Sequence, residues 1–285
     1  MKEITRQRWA RFGWFCMSFV PLLAYTALTL GVSTILMTLI TMVAVMGGRA
    51  DGMGLTEYLM GFSMPISIIF AVLGLVIFGL WYYFGCKRKQ LRIPESVLNP
   101  TKIAAVILVA FGSQFLAEYL IYLIQLAAPR VVESYVELME MAGIEEITWA
   151  TILYVVILGP MAEELVFRGV TLFYAQKSTR RFWLANIIQA LAFGIMHMNV
   201  VQGIYAFFLG LILGWVYHRF RSLYASTLLH IVFNFMGTCV LGNITMALED
   251  KLPLYIIFHI MGIAAFAAGM VLLRDRRKSA LEELL

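Results

Sequence analysis

The sequence predicts an all-α, polytopic membrane protein of about eight transmembrane helices, and three observations carry that prediction. Of 285 residues, 61% are apolar, and the mean hydropathy is +0.84, more apolar surface than a water-soluble domain of this size can bury. Only 14% of residues are charged, and they cluster between apolar runs. Each run approaches the roughly 20 residues that a helix needs to cross the hydrocarbon core. The net charge of +5 does not imply nucleic acid as a partner. The basic residues sit at the ends of apolar runs and form no polar patch.

Taken in order, the first element is the apolar run 12–48, too long for one upright helix and too short for two. An interfacial segment is therefore expected before a span that starts near Pro21. The basic start "MKEITRQRWARFGWF" leads into an apolar stretch far longer than that of a signal peptide, so the first span is expected to be uncleaved. The spans are expected near 20–46, 58–84, 102–128, 148–176, 182–199, 201–217, 223–243 and 253–273. The fifth and sixth are separated by little more than "MNVVQG" and read as a tight hairpin. Between spans, "RVVESYVELMEMAGIEE" (130–146) reads either as an amphipathic surface helix or as a solvated loop. "RIPESVLNPTK" (92–102), with two prolines, reads as a cytoplasmic turn. These marks divide the chain into 1–100 with the first two spans, 101–147 with the third span and acidic outer loop, a core at 148–243, and 244–285 with the last span and basic tail.

Charge tests the count. With both termini in the cytoplasm, the inner segments hold every Lys and Arg except Arg49, Arg130, Lys251 and Arg168, as the positive-inside rule requires. Cys16, Cys86 and Cys239 are scattered and odd in number, so no disulfide framework follows. Cys16 and Cys239 lie in apolar runs and read as small buried hydrophobes. Cys86, beside Lys87-Arg88-Lys89, is the one placed to accept a palmitoyl group.

The ionisable residues left inside spans are Glu118, Glu163, Glu164 and Arg168. A charge at mid-membrane costs on the order of 3 kcal/mol, which makes each a functional candidate, with a structural ion pair as the alternative. Glu164 and Arg168 stand at i,i+4 with the acid first, the favourable order for a pair on one helix face. Glu163 projects about 100° away and needs a different partner or a water-filled cavity. That is a position for a general base. Further on come Phe193 to His197 and His230 to Asn234, the latter pair again at i,i+4. Counted from the basic anchors at 1.5 Å per residue, Glu163, His197 and Asn234 lie roughly 20–24 Å deep and His230 about 14 Å. Three spans therefore bring a carboxylate, two imidazoles and a carboxamide to overlapping depths. Gln114 and Glu118, at i,i+4 on the third span, are candidates to line the same cavity or to pair with Arg168. His218 at a basic span end and His259, with no polar neighbour at i±4, read as residues without a role in chemistry.

"EELVFR" (163–168), "FGIMH" (193–197) and "HIVFN" (230–234) resemble the three motifs of the CAAX prenyl protease and bacteriocin-processing family of intramembrane proteases, also called the Abi family. The resemblance covers about 148–243. It implies hydrolysis of a peptide bond in a membrane-associated substrate, such as a prenylated C-terminus or a leader peptide. It further implies a water activated by Glu163 with His197 and an oxyanion held by His230 with Asn234, supported by Glu164, Arg168 and a cavity wall that includes Phe193. On this reading no cofactor is needed. The alternative is a zinc site with Glu163, His197 and His230 as ligands and one position open to water. The absence of a His-Glu-x-x-His helix and of cysteine ligands favours the metal-free form. A reading from another class is a non-proteolytic bacteriocin-immunity protein on the same fold. A transporter would show matching broken helices in two halves, and none is present. By analogy the location is a bacterial plasma membrane, and the partners are the lipid bilayer and a membrane-associated peptide.

Overall fold

The computed structural model describes residues 2–48, 52–86, 99–141, 147–248 and 251–274. Those residues are helical, with no strand among them. The elements are α1 (Lys2–Met17), α2 (Val20–Met46), α3 (Gly52–Met60), α4 (Ser63–Trp81), α5 (Pro100–Ala127), α6 (Pro129–Met141), α7 (Trp149–Thr179), α8 (Phe182–Met196), α9 (Val200–Phe220), α10 (Leu223–Leu241) and α11 (Leu252–Leu273).

Their starts follow local chemistry. Proline opens α5 and lies in the first turn of α2 and α11, where its missing N–H has no helical partner to lose. Side-chain oxygens cap three starts: Asn99 accepts from the Thr101 N–H at 2.9 Å, Thr148 from Thr151 at 3.1 Å and Asn199 from Gln202 at 3.1 Å. The break between α1 and α2 falls at residues 18–19, just before Pro21. The segment 130–146 is helical over α6, and its last five positions, 142–146, lie outside the described residues. So do 92–98 of the proline-rich turn, Lys87-Arg88-Lys89 and the tail 275–285.

Among the described residues seven helices are long and apolar enough to cross a membrane. The expected fifth span, 182–199, is the departure. Its helix α8 ends after 15 residues, a rise of about 22 Å against a core of about 30 Å. The run is cut short because Met198 turns into the left-handed region at φ 51° and Asn199 then caps α9. The hairpin is tighter than the apolar run suggested. Cysteine placement differs in one respect: Cys86, read as placed for a palmitoyl group, is buried against protein, while Cys16 is not covered by neighbouring helices.

Helix ends gather by parity. Lys102 Nζ donates to Leu272 O at 2.7 Å, Arg219 Nε to Leu273 O at 3.1 Å and Arg11 Nε to Ser178 O at 2.8 Å. The Phe182 ring stacks on His218 at 3.9 Å. The starts of α5 and α8 and the ends of α7, α9 and α11 therefore share one basic face. Inside, α7 to α10 build a common core in which Val166, Phe167, Phe193, Leu213 and Leu229 are almost wholly enclosed.

The α8–α9 hairpin closes through small residues and carboxamides. Asn186 Nδ2 donates to Leu211 O at 2.9 Å, and Gln189 Nε2 to Gly210 O at 2.8 Å. A Cβ on Gly214 would stand 1.9 Å from Asn186 Oδ1. Gly214→Ala is therefore expected to lower stability by about 1–3 kcal/mol, the usual cost of overpacking. Gly31→Ala, where nothing lies within 4 Å of the new carbon, should leave stability unchanged or slightly raised. Thermal unfolding of the two purified variants tests this, and equal midpoints would contradict the hairpin packing.

Candidate active site

The site starts from an irregular helix. Within α7 the turn Gly159–Glu164 is α-helical, but it is flanked by wider π-helical stretches at Ile152–Leu158 and Leu165–Thr171. In the first of these the Gly159 N–H donates to Tyr154 O, five residues back. The next donor in that register would be residue 160, which is proline and has no N–H. Val155 O thereby loses its backbone partner. Asn234 Nδ2, on α10, donates to it at 2.7 Å. A carboxamide from a neighbouring span thus closes the gap that Pro160 opens.

One turn on, Arg168 Nη1 lies 2.8 Å from Glu164 Oε1, with both side chains almost fully buried. This is the i,i+4 pair that the spacing predicts. The guanidinium also lies over the Phe193 ring, 4.5 Å from its centroid, and points Nη2 at Gly210 O at 3.4 Å. Glu164 Oε1 has a second neighbour, His230 Nδ1, at 3.0 Å. A carboxylate can only accept, so Nδ1 carries the proton and the ring orientation is set. Its other nitrogen, Nε2, then faces Glu163 Oε2 at 3.6 Å.

Glu163 and Glu164 therefore differ in surroundings although they are adjacent. Glu164 is 1% exposed and Glu163 15%, the latter on the wall of a cavity of about 930 Å³. That is far more than the ~30 Å³ share of a single water. His197, His230 and Asn234 line the same cavity, as do Phe193, Gln114 and Glu118. His197 follows the last turn of α8, and its Nδ1–H donates to Phe193 O at 2.8 Å, leaving Nε2 for the cavity. Phe193 stands edge-on to both imidazoles, at 5.0 Å from His197 and 5.6 Å from His230. It holds two rings and one guanidinium at once.

Two expectations are corrected. Glu118 does not reach Arg168, whose carboxylate partner is Glu164; it pairs with His259 Nε2 at 3.3 Å across α5 and α11. His259 accordingly has a carboxylate partner on another helix, besides the Tyr255 carbonyl that its Nδ1–H meets one turn back at 2.9 Å. Gln114 Nε2 donates to Phe233 O, bracing α10 next to His230 and Asn234. Tyr25, Tyr154 and Tyr205 also line the cavity. Sequence reasoning passed over them because a tyrosine in an apolar span carries no spacing signal. On the zinc alternative, among the described residues no three His, Cys, Asp or Glu side chains gather as a group that could hold a metal ion.

The Pro160 account can be tested by coupling. Asn234→Ala should cost about 0.5–1.5 kcal/mol, because it removes the donor to a partly buried carbonyl. Pro160→Ala restores a backbone N–H, so in that background the loss on Asn234→Ala should shrink. Thermal unfolding of the two single variants and the double variant decides it, and strictly additive losses would overturn the account.

Residues 145–236 match a family model described as Rce1-like, type II CAAX prenyl endopeptidase Rce1-like. The matched segment runs from the start of α7 to the end of the third motif on α10, and so contains Glu163, His197, His230 and Asn234 of the cavity wall. No curated protein and no solved structure gives a significant match. Residues 145–236, which carry the three polar motifs in order on α7, α8 and α10, are thus similar to the Rce1-like CAAX protease family.

Proposed function

We propose that the protein is an intramembrane endopeptidase of the glutamate type, acting on a peptide bond of a membrane-associated substrate. The observation that carries this reading is the unequal environment of the glutamate doublet. Glu164 is held by Arg168 and His230, whereas Glu163 borders the cavity beside an imidazole. Glu163 with His197 takes a proton from a water whose oxygen attacks the scissile carbonyl. The negative charge that develops on the carbonyl oxygen is met by the second N–H of Asn234, whose first is occupied by Val155 O, and by His230 acting as imidazolium, with Nδ1–H on Glu164 and Nε2–H on the oxyanion. As the C–N bond breaks, the proton on Glu163 passes to the leaving amine. Glu164 and Arg168 are positioning residues that act through His230 and Phe193.

The substrate class is a prenylated C-terminus, a leader peptide or a comparable lipid-proximal segment. The cavity opens among apolar helices and suits a chain delivered from the bilayer. Both termini are assigned to the cytoplasm and the setting to a bacterial plasma membrane.

Glu163→Gln and His197→Ala should each lower kcat by about 10²–10⁴-fold, the usual contribution of a general base, with little change in thermal stability. Glu164→Gln should instead lower stability, because it leaves Arg168 buried and uncompensated. Cleavage is read by comparing the proteomes of cells carrying wild type or Glu163→Gln for an uncut precursor, then by assay on that precursor. Full cleavage by both cavity variants would sink the assignment. Protection against a bacteriocin that survives Glu163→Gln, with no precursor in either strain, would favour the immunity reading.

A further inference from the structure

A second concave site lies away from the cavity, on the basic face. Arg8, Arg11, Phe12 and Phe15 follow i, i+3, i+4, i+7 spacing and so occupy one face of α1. That face meets the turn between α7 and α8, where Arg180 and Arg181 are consecutive, around a recess of about 750 Å³. The recess is built. Arg11 Nε donates to Ser178 O at 2.8 Å, tying α1 to the end of α7. Arg180 adopts the left-handed conformation at φ 55°, and Thr179 Oγ1 braces the turn with a 3.0 Å bond to Ala175 O. Lys177 is turned elsewhere, its ammonium 4.3 Å from the Trp14 ring.

Four arginines thus line one recess, and among the described residues no ion pair links any of them to a carboxylate. Orientation in a membrane needs only a surplus of positive charge on a loop. It does not need four arginines from chain segments far apart in sequence to converge. Their mutual repulsion is relieved by an anion, and arginine's planar fork matches phosphate oxygens in pairs. The remaining wall is apolar, from Phe12, Phe15 and Leu184. A free ion has no use for that surface, whereas the glycerol and upper acyl carbons of a lipid do.

We propose that this recess binds the phosphate headgroup of an anionic phospholipid, with Phe12 and Phe15 against its acyl chains. The bound lipid clamps α1 to the turn at which α7, bearing Glu163, ends and α8, bearing His197, begins.

The test uses the purified full chain, stripped of lipid in detergent. It is titrated with phosphatidylglycerol, phosphatidylcholine or inorganic phosphate, and lipid retention is read by native mass spectrometry and thermal midpoint. Phosphatidylglycerol should be retained roughly tenfold more strongly than phosphatidylcholine and should raise the midpoint, consistent with attraction at several basic side chains. Replacing Arg8, Arg11, Arg180 and Arg181 together by Gln should remove that preference. The same four changed to Lys keep the orienting charge, so the chain still inserts, and should weaken binding at least about threefold through loss of the paired donors. Equal retention of the two lipids, wild-type binding by either variant, or inorganic phosphate matching phosphatidylglycerol at equal concentration would each overturn the proposal.

Discussion

A carboxylate and a guanidinium enclosed together, Glu164 and Arg168 at 2.8 Å, are the constraint on which the rest of the site depends. Removing either partner from such a buried pair costs about 3–5 kcal/mol, because the other charge is left without water. The pair therefore fixes the rotation of α7. It also recruits two further elements: His230 through the shared carboxylate oxygen, and Phe193 beneath the guanidinium. With His230 held at one nitrogen, its other nitrogen is aimed at Glu163. The arrangement at the cavity wall is a consequence of the buried pair.

The same helix shows how backbone irregularity is tolerated inside an apolar bundle. Within lipid an unpaired carbonyl is costly, so a departure from α geometry must be satisfied by neighbouring helices. Here one carboxamide does that for α7, and three more join regular helices in the same way. Asn234 serves Val155 O, Gln114 serves Phe233 O, Gln189 serves Gly210 O and Asn186 serves Leu211 O. Each joins two helices by a side chain to a main-chain oxygen, and two of them brace the cavity wall. Polar residues that hydropathy counts against a span are the ones that position it.

The basic face repeats the principle at the bundle's edge. Lys102, Arg219 and Arg11 each donate to a carbonyl at the end of another helix. The remaining guanidinium groups of the α1 recess are joined to no carboxylate by an ion pair among the described residues.

What the sequence determined by itself is whatever covalent spacing dictates. The length of apolar runs fixed the helical membrane class, i,i+4 spacing separated Glu164 and Arg168 from Glu163, and the three polar motifs stand in order within the segment 145–236 that matches the family model. What only the tertiary structure decided is which helices meet. The early end of α8 at Met198, the Glu118–His259 pair, the rescue of Val155 O by Asn234 and the convergence of Arg8 and Arg11 with Arg180 and Arg181 all join or terminate segments through partners far along the chain. Periodicity along one helix reports which side chains share a face. It carries no information about the face of another helix that packing will set against it.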